Sequence, residues 1–157
     1  MAPERSRSIP WAARLPWSGP APTLADTRRK MNDAGIEVSL FVSPVPAQVE
    51  AAARVGAQFI ELNTGSFAEN FHRKHQRAQE LDTLAAAAVQ AHALGLGVNA
   101  GHGLNYQNLP ALLPVPHLVE LNIGHCIISR ALVVGLPTAV REMLLVMQGT
   151  PRPASEP

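Results

Sequence analysis

Short apolar runs alternate with longer amphipathic ones from Thr23 to Met147, and each apolar run ends in polar or glycine residues. Val38-Ser39-Leu40-Phe41-Val42 is short and largely apolar, the composition of a strand buried on both faces. It predicts a first strand within 36–42. Further strands are predicted at Gln58–Leu62, Leu96–Asn99 and Val119–Ile123. The intervening residues carry helical spacing. A helix is predicted from Thr23, with Leu24, Met31 and Ala34 near one face, and Gly35 suits the left-handed position that ends helices. Ala47–Val55 is closed by Gly56, and Arg73–Leu94 by Gly95. A short helix is expected over Tyr106–Leu113, before Pro114 and Pro116. The last helix spans Ile127–Met147, interrupted near Gly135-Leu136-Pro137, where the proline starts a second segment.

A helix followed by four strand–helix units requires parallel pairing through right-handed crossovers. The fold class is therefore α/β. Polar and glycine residues gather at the strand ends: Ser43, Glu61 to Gly65, Asn99 to Gly103, and Asn122 to His125. Parallel α/β folds place their sites at that edge. Four units fit either an open sheet or half of an eightfold barrel, and the pattern does not choose between them.

Two strand ends share one grammar. Asn99-Ala100-Gly101-His102-Gly103 sets a histidine between glycines, and Asn122-Ile123-Gly124-His125 sets one after a glycine. A histidine at such a turn suits general acid or base work near neutral pH. It equally suits a turn residue bonded to a neighbouring loop. Gly124 and His125 precede a helix whose N-terminal amides suit an anion, or they only cap that helix. Glu61 lies between Ile60 and Leu62, and a buried carboxylate needs a partner. It serves a site or neutralises a structural lysine or arginine; Glu120 is the parallel case. His72 and His75 are spaced as helical neighbours, but no third metal ligand accompanies them. His92, His117 and Cys126 read as packing or surface residues. No phosphate-binding loop of the Gly-rich Lys-Ser/Thr type and no dinucleotide fingerprint occurs.

Composition narrows the class. The chain has 157 residues, 46% hydrophobic and 16% charged, which suits one domain with a core. A net charge of +1 gives no overall pull toward nucleic acid or a membrane surface. Cys126 is the sole cysteine, which excludes an internal disulfide and a thiolate zinc cage and fits a cytoplasmic setting. No apolar run approaches the ~20 residues of a membrane span. Met1–Pro22 carries Pro3, Pro10, Pro16, Pro20 and Pro22 and is expected to be disordered, as are residues 149–157, leaving a domain over 23–148. A targeting role for the basic N-terminal stretch lacks the apolar or amphipathic pattern it needs.

Together these segments resemble the pyridoxine 5′-phosphate synthase family of vitamin B6 biosynthesis. The resemblance covers about Thr23 to Met147. It rests on the run Asn32 to Phe41, then Gly56 to Leu62, Asn99 to Leu104, Glu120 to His125, and Ile127 to Ala131, in the family's order. It implies the C-terminal half of a TIM (β/α)8 barrel, assembled as a homo-oligomer. It implies condensation of 1-deoxy-D-xylulose 5-phosphate with 3-amino-2-oxopropyl phosphate, with no metal or organic cofactor. By resemblance, His102 is the proton donor and Glu61 stabilises the transition state. Gly103 binds ligand, and Gly124 and His125 contact a bound phosphate compound. Asn63 stands where the family pattern has histidine, and asparagine does not titrate. The family's first strands carry a catalytic histidine, a catalytic glutamate and phosphate-binding arginines, and no such match is read in Met1–Pro22. The expectation is a half-barrel with two open sheet edges and an uncovered face. It either pairs with a complementing half or persists as a non-catalytic assembly subunit.

Overall fold

The computed structural model describes residues 21–149. The expected loose tails lie outside the described residues, except that residues 21, 22 and 149 are placed, the first two opening a helix. The chain runs α1 (Ala21–Asp33), β1 (Ser39–Val42), α2 (Pro46–Val55), β2 (Phe59–Asn63), α3 (Gly65–Glu69) and α4 (Lys74–Ala93). It continues β3 (Gly97–Gly101), α5 (Leu109–Leu112), β4 (Leu118–Asn122), α6 (His125–Val134) and α7 (Leu136–Met147). All neighbouring strands pair in parallel, in the order β1-β2-β3-β4. The expected alternation of strand and helix is present.

The period-two pattern of the strands divides the sheet into two unlike faces. Leu40, Ile60, Val98 and Leu118 form one cross-strand row, and Val42, Leu62, Ala100 and Leu121 the next. Both rows join a single core with Val49 and Ala52 of α2, Leu84, Ala88 and Ala91 of α4, and Met143 and Val146 of α7. Ala88 and Ala91 are fully buried, and their small side chains let α4 lie close to the sheet. The other face carries Ser39, Phe41, Phe59, Glu61, Asn63, Asn99, Glu120 and Asn122. There Ser39, Glu120 and Asn122 are exposed and Phe41, Phe59 and Glu61 half-buried. β1 is thus buried on one face only, against the expectation of two. Its composition reports apolar side chains, but Phe41 points to the open side.

Several boundaries move. β1 begins at Ser39 rather than Ile36, which is exposed, and β3 runs on to Gly101 instead of stopping at Asn99. α3 was not anticipated; it is too short for a helical period and is anchored by the buried Phe67. Between β3 and β4 the register breaks: Val98 faces Leu118, but Asn99 faces Glu120. Val119 is the unpaired residue of this bulge and is 67% exposed.

α6 and α7 are held together by a two-pronged ion pair. Arg130 donates from Nε to Glu142 Oε2 at 2.8 Å and from Nη2 to Oε1 at 2.9 Å. The Tyr106 hydroxyl donates to the Ala139 carbonyl of α7 at 2.9 Å. Outward, these helices expose Ile128, Leu132, Val133, Leu136 and Leu144. Among the described residues no helix is long and apolar enough to cross a membrane.

Candidate functional site

The C-terminal ends of β2, β3 and β4 converge, and their side chains on the open face form the site. Glu61 leaves β2 and crosses β3 where Gly101 offers no side chain; a Cβ there would stand 2.2 Å from Glu61 Oε1. Its Oε2 accepts a hydrogen bond from Asn122 Nδ2 of β4 at 2.9 Å. Glu61 is therefore half-buried and amide-bonded, neither deeply buried nor paired with a structural cation among the described residues. Burial pushes its carboxyl above the ordinary range, the Asn122 amide opposes this, Glu120 adds repulsion, and His102 opposes it again.

His102 follows β3 with φ 84°, a left-handed conformation uncommon for a residue with a Cβ. The turn is held by buried neighbours. The Thr64 hydroxyl lies 2.8 Å from the Gly101 carbonyl and 2.6 Å from the His102 carbonyl, and the Thr64 amide donates to Gly101 O at 2.9 Å. Gly65 leaves room for the imidazole: a Cβ there would stand 3.0 Å from His102 Cδ2. The ring is exposed, and its centroid lies 6.4 Å from that of Phe41. Gly103 is also left-handed, at φ 74°, and packs so tightly that a Cβ would meet Ala68 Cβ at 2.6 Å. Asn108, nearly fully buried, donates to the Gly103 carbonyl at 3.0 Å and accepts from the Asn105 amide at 2.8 Å.

Gly124 caps α6, which begins at His125, two residues before the expected start at Ile127. His125 thus belongs to the first turn, and the Gly124 carbonyl accepts from the Ile128 amide at 3.1 Å. A cleft of about 550 Å³ runs between the two strand ends, lined by His102, Gly103, Asn105, Asn122, Gly124 and His125 among others. Four of the five residues singled out from the sequence therefore share one cleft, and Glu61 joins it through Asn122. The arrangement offers two histidines and a helix N-terminus around one cavity, with the Glu61 carboxylate bonded to Asn122 of its lining.

Asn63 turns its Oδ1 to accept from the Gly65 amide at 2.8 Å, so it braces the turn into α3. Asn99, on β3 between Glu61 and Glu120 in register, is only 5% exposed, and its Oδ1 has no hydrogen-bond donor among the described residues. Thr64, Asn99 and Asn122 are legible in the sequence only as members of polar strand-end strings, and Asn108 carries no signal of its own. Their roles depend on cross-strand register. His92 and His117, read as packing or surface residues, are exposed and stack at 3.8 Å between ring centroids. His72 and His75 are exposed, and no group of three His, Cys, Asp or Glu among the described residues is placed to hold a metal ion. Burial raises the Cys126 thiol above its ordinary value, which favours its protonated form.

The family model described as pyridoxal phosphate biosynthesis protein PdxJ matches residues 1–149, taking in Met1–Pro22, where the motifs gave no resemblance. A pyridoxine 5′-phosphate synthase of Akkermansia muciniphila is 54% identical over 144 residues, covering 91% of this chain and 58% of that protein. One from Synechococcus sp. is 48% identical over 147 residues, covering 94% and 61% respectively. One from Idiomarina loihiensis is 43% identical over 143 residues, covering 91% and 59%. The chain spans about three fifths of the length of these curated relatives.

Proposed function

The chain belongs to the PdxJ family of pyridoxal phosphate biosynthesis proteins, and from that premise we propose that it provides the second half of a pyridoxine 5′-phosphate synthase site. The substrates are 1-deoxy-D-xylulose 5-phosphate and 3-amino-2-oxopropyl phosphate, which condense to close the pyridine ring with loss of phosphate and water. The cleft between the β3 and β4 ends carries this reading, because His102, Gly103, Gly124 and His125 all line it. His102 is the proton donor, exposed and aimed from a braced turn. Glu61 stabilises charge developing in the transition state, its carboxylate oriented by Asn122. Gly103, Gly124 and His125 take the phosphate compound, the last two at the start of α6, where amides favour an anion.

The four parallel strands are half of a (β/α)8 barrel whose uncovered face is the barrel interior. A second half, from another chain or another segment, supplies the remaining acid–base residues and closes the sheet, and the enzyme is a cytoplasmic homo-oligomer. The test is pyridoxine 5′-phosphate formation by the purified chain, alone and mixed with the first-half fragment of a relative. Expected is activity in the mixture, with His102→Ala lowering turnover far more than substrate binding. Equal loss of turnover and binding sinks the proton-donor role.

A second reading, a non-catalytic subunit that keeps the phosphate cleft, is favoured by Asn63. That side chain is non-titrating and spent on bracing a turn. Phosphate-ester binding without product formation in any mixture selects it.

A further inference from the structure

The acceptor groups on the open face of the sheet lie in one row. Register sets Glu61 of β2, Asn99 of β3 and Glu120 of β4 side by side, all on the face away from the core. Asn99 is 5% exposed, and its buried Oδ1 has no donor among the described residues. A buried carbonyl oxygen without a donor loses its hydration and regains nothing, so native interiors rarely keep one. Glu61 has one oxygen bonded to Asn122, and the ion pairs among the described residues lie elsewhere, at Asp26–Arg29, Glu50–Arg54 and Arg130–Glu142. A neutral donor would satisfy Asn99 alone. A cationic donor would satisfy Asn99 and also the negative field of the two flanking carboxylates.

We propose that Asn99, flanked by Glu61 and Glu120, is the subsite that accepts the protonated amino group of the amine-bearing substrate. This rests on the synthase reading above and adds to it a positioning residue and a reason for choosing amine over hydroxyl. Gly97 and Gly101 shape the subsite on either side of Asn99. The Phe59 ring lies over Gly97, where a Cβ would stand 2.2 Å from Cδ1, and the Glu61 carboxylate lies over Gly101. Asn99 is thereby recessed between an aromatic ring and a carboxylate, a setting that excludes bulk water while leaving acceptors for N–H groups.

The test is calorimetric titration of the full chain, mixed with the first-half fragment of a relative, with 3-amino-2-oxopropyl phosphate and with dihydroxyacetone phosphate, which carries hydroxyl in place of the amine. The amine binds more tightly by roughly 10-fold, the worth of a hydrogen bond to a charged group. Asn99→Leu, of similar size but without an acceptor, abolishes this preference and leaves the hydroxyl compound nearly unaffected. Should that variant fail to fold, the ¹⁵N resonance of the wild-type Asn99 side-chain amide provides the readout, moving with the amine compound and not with its analogue. Equal affinities, or a preference that survives Asn99→Leu, overturns the inference and leaves the synthase reading standing. Loss of oligomer mass in Asn99→Leu without any amine preference assigns the donor to another chain's lysine or arginine and also overturns it. Failure of both compounds to bind overturns the inference together with the synthase reading.

Discussion

Asn122 holds Glu61 from two strands away: its Nδ2 donates to Oε2 at 2.9 Å across β3, above the bare Cα of Gly101. The carboxylate is thus oriented by an absence as much as by a donor. Gly101→Ala would place a Cβ 2.2 Å from Glu61 Oε1 and 3.1 Å from the Asn122 carbonyl. The side chain swings away and its bond to Asn122 breaks. Turnover of the complemented enzyme is expected to fall by about 100-fold, the effect of an ångström-scale misplacement. Kinetics on Gly101→Ala check this, and a variant with undiminished turnover removes Glu61 from the site.

The Glu61 carboxyl also makes stability depend on pH. Burial is the largest cause of its rise above the ordinary 4.5. The folded chain therefore binds this proton more tightly than the unfolded chain does. Between 4.5 and the raised value, stability falls as pH rises, and the deficit persists above that window. Glu61→Gln cannot ionise and keeps an oxygen for Asn122. Its melting temperature should exceed the wild type's by a margin that grows with pH across the window. A margin independent of pH contradicts the assignment.

His102 occupies a conformation that suits glycine better, at φ 84°. His102→Gly and His102→Ala both remove the imidazole, but only alanine keeps the left-handed strain. The glycine variant is expected to be more stable by about 1 kcal/mol, once glycine's greater unfolded freedom is subtracted. Urea denaturation of the two measures the difference. On the role proposed for His102 both variants are expected to lose turnover equally, so that stability and turnover move independently at this position, the pattern of strain held for function.

Thr64, fully buried, braces the same turn through its hydroxyl. Thr64→Val keeps the shape and removes the donor, at an expected cost of ~1–3 kcal/mol. Thr64→Ser should recover most of the loss. Denaturation of the three proteins checks the order, and a valine variant as stable as wild type shows that the hydroxyl is not needed.

The strand–helix alternation and the parallel sheet were legible because apolar period and glycine stops are local signals. Gly56 ends α2 in the left-handed conformation its type suits, and Pro137 opens α7 after Gly135. His102, Gly103, Gly124 and His125 were legible as strand-end residues, and the cleft brings them together. The burial of β1 was misread, because an apolar strand facing an open side has the same composition as one buried twice. Asn99 and Asn122 were legible only as polar strand-end residues, because their meaning is relational. One lies between two carboxylates and the other reaches over a glycine, and both facts require the register of three strands.

That register depends on Val119, which has no partner on β3. Leu118 faces Val98 and Glu120 faces Asn99, so the chain could lose Val119 and keep every pairing. In a strand without such a spare residue a one-residue deletion would instead turn the remainder over, sending its polar side chains toward the helices. The bulge is thus slack in β4, and deletion of Val119 is the change in length that leaves unaltered what the strand presents to the cleft.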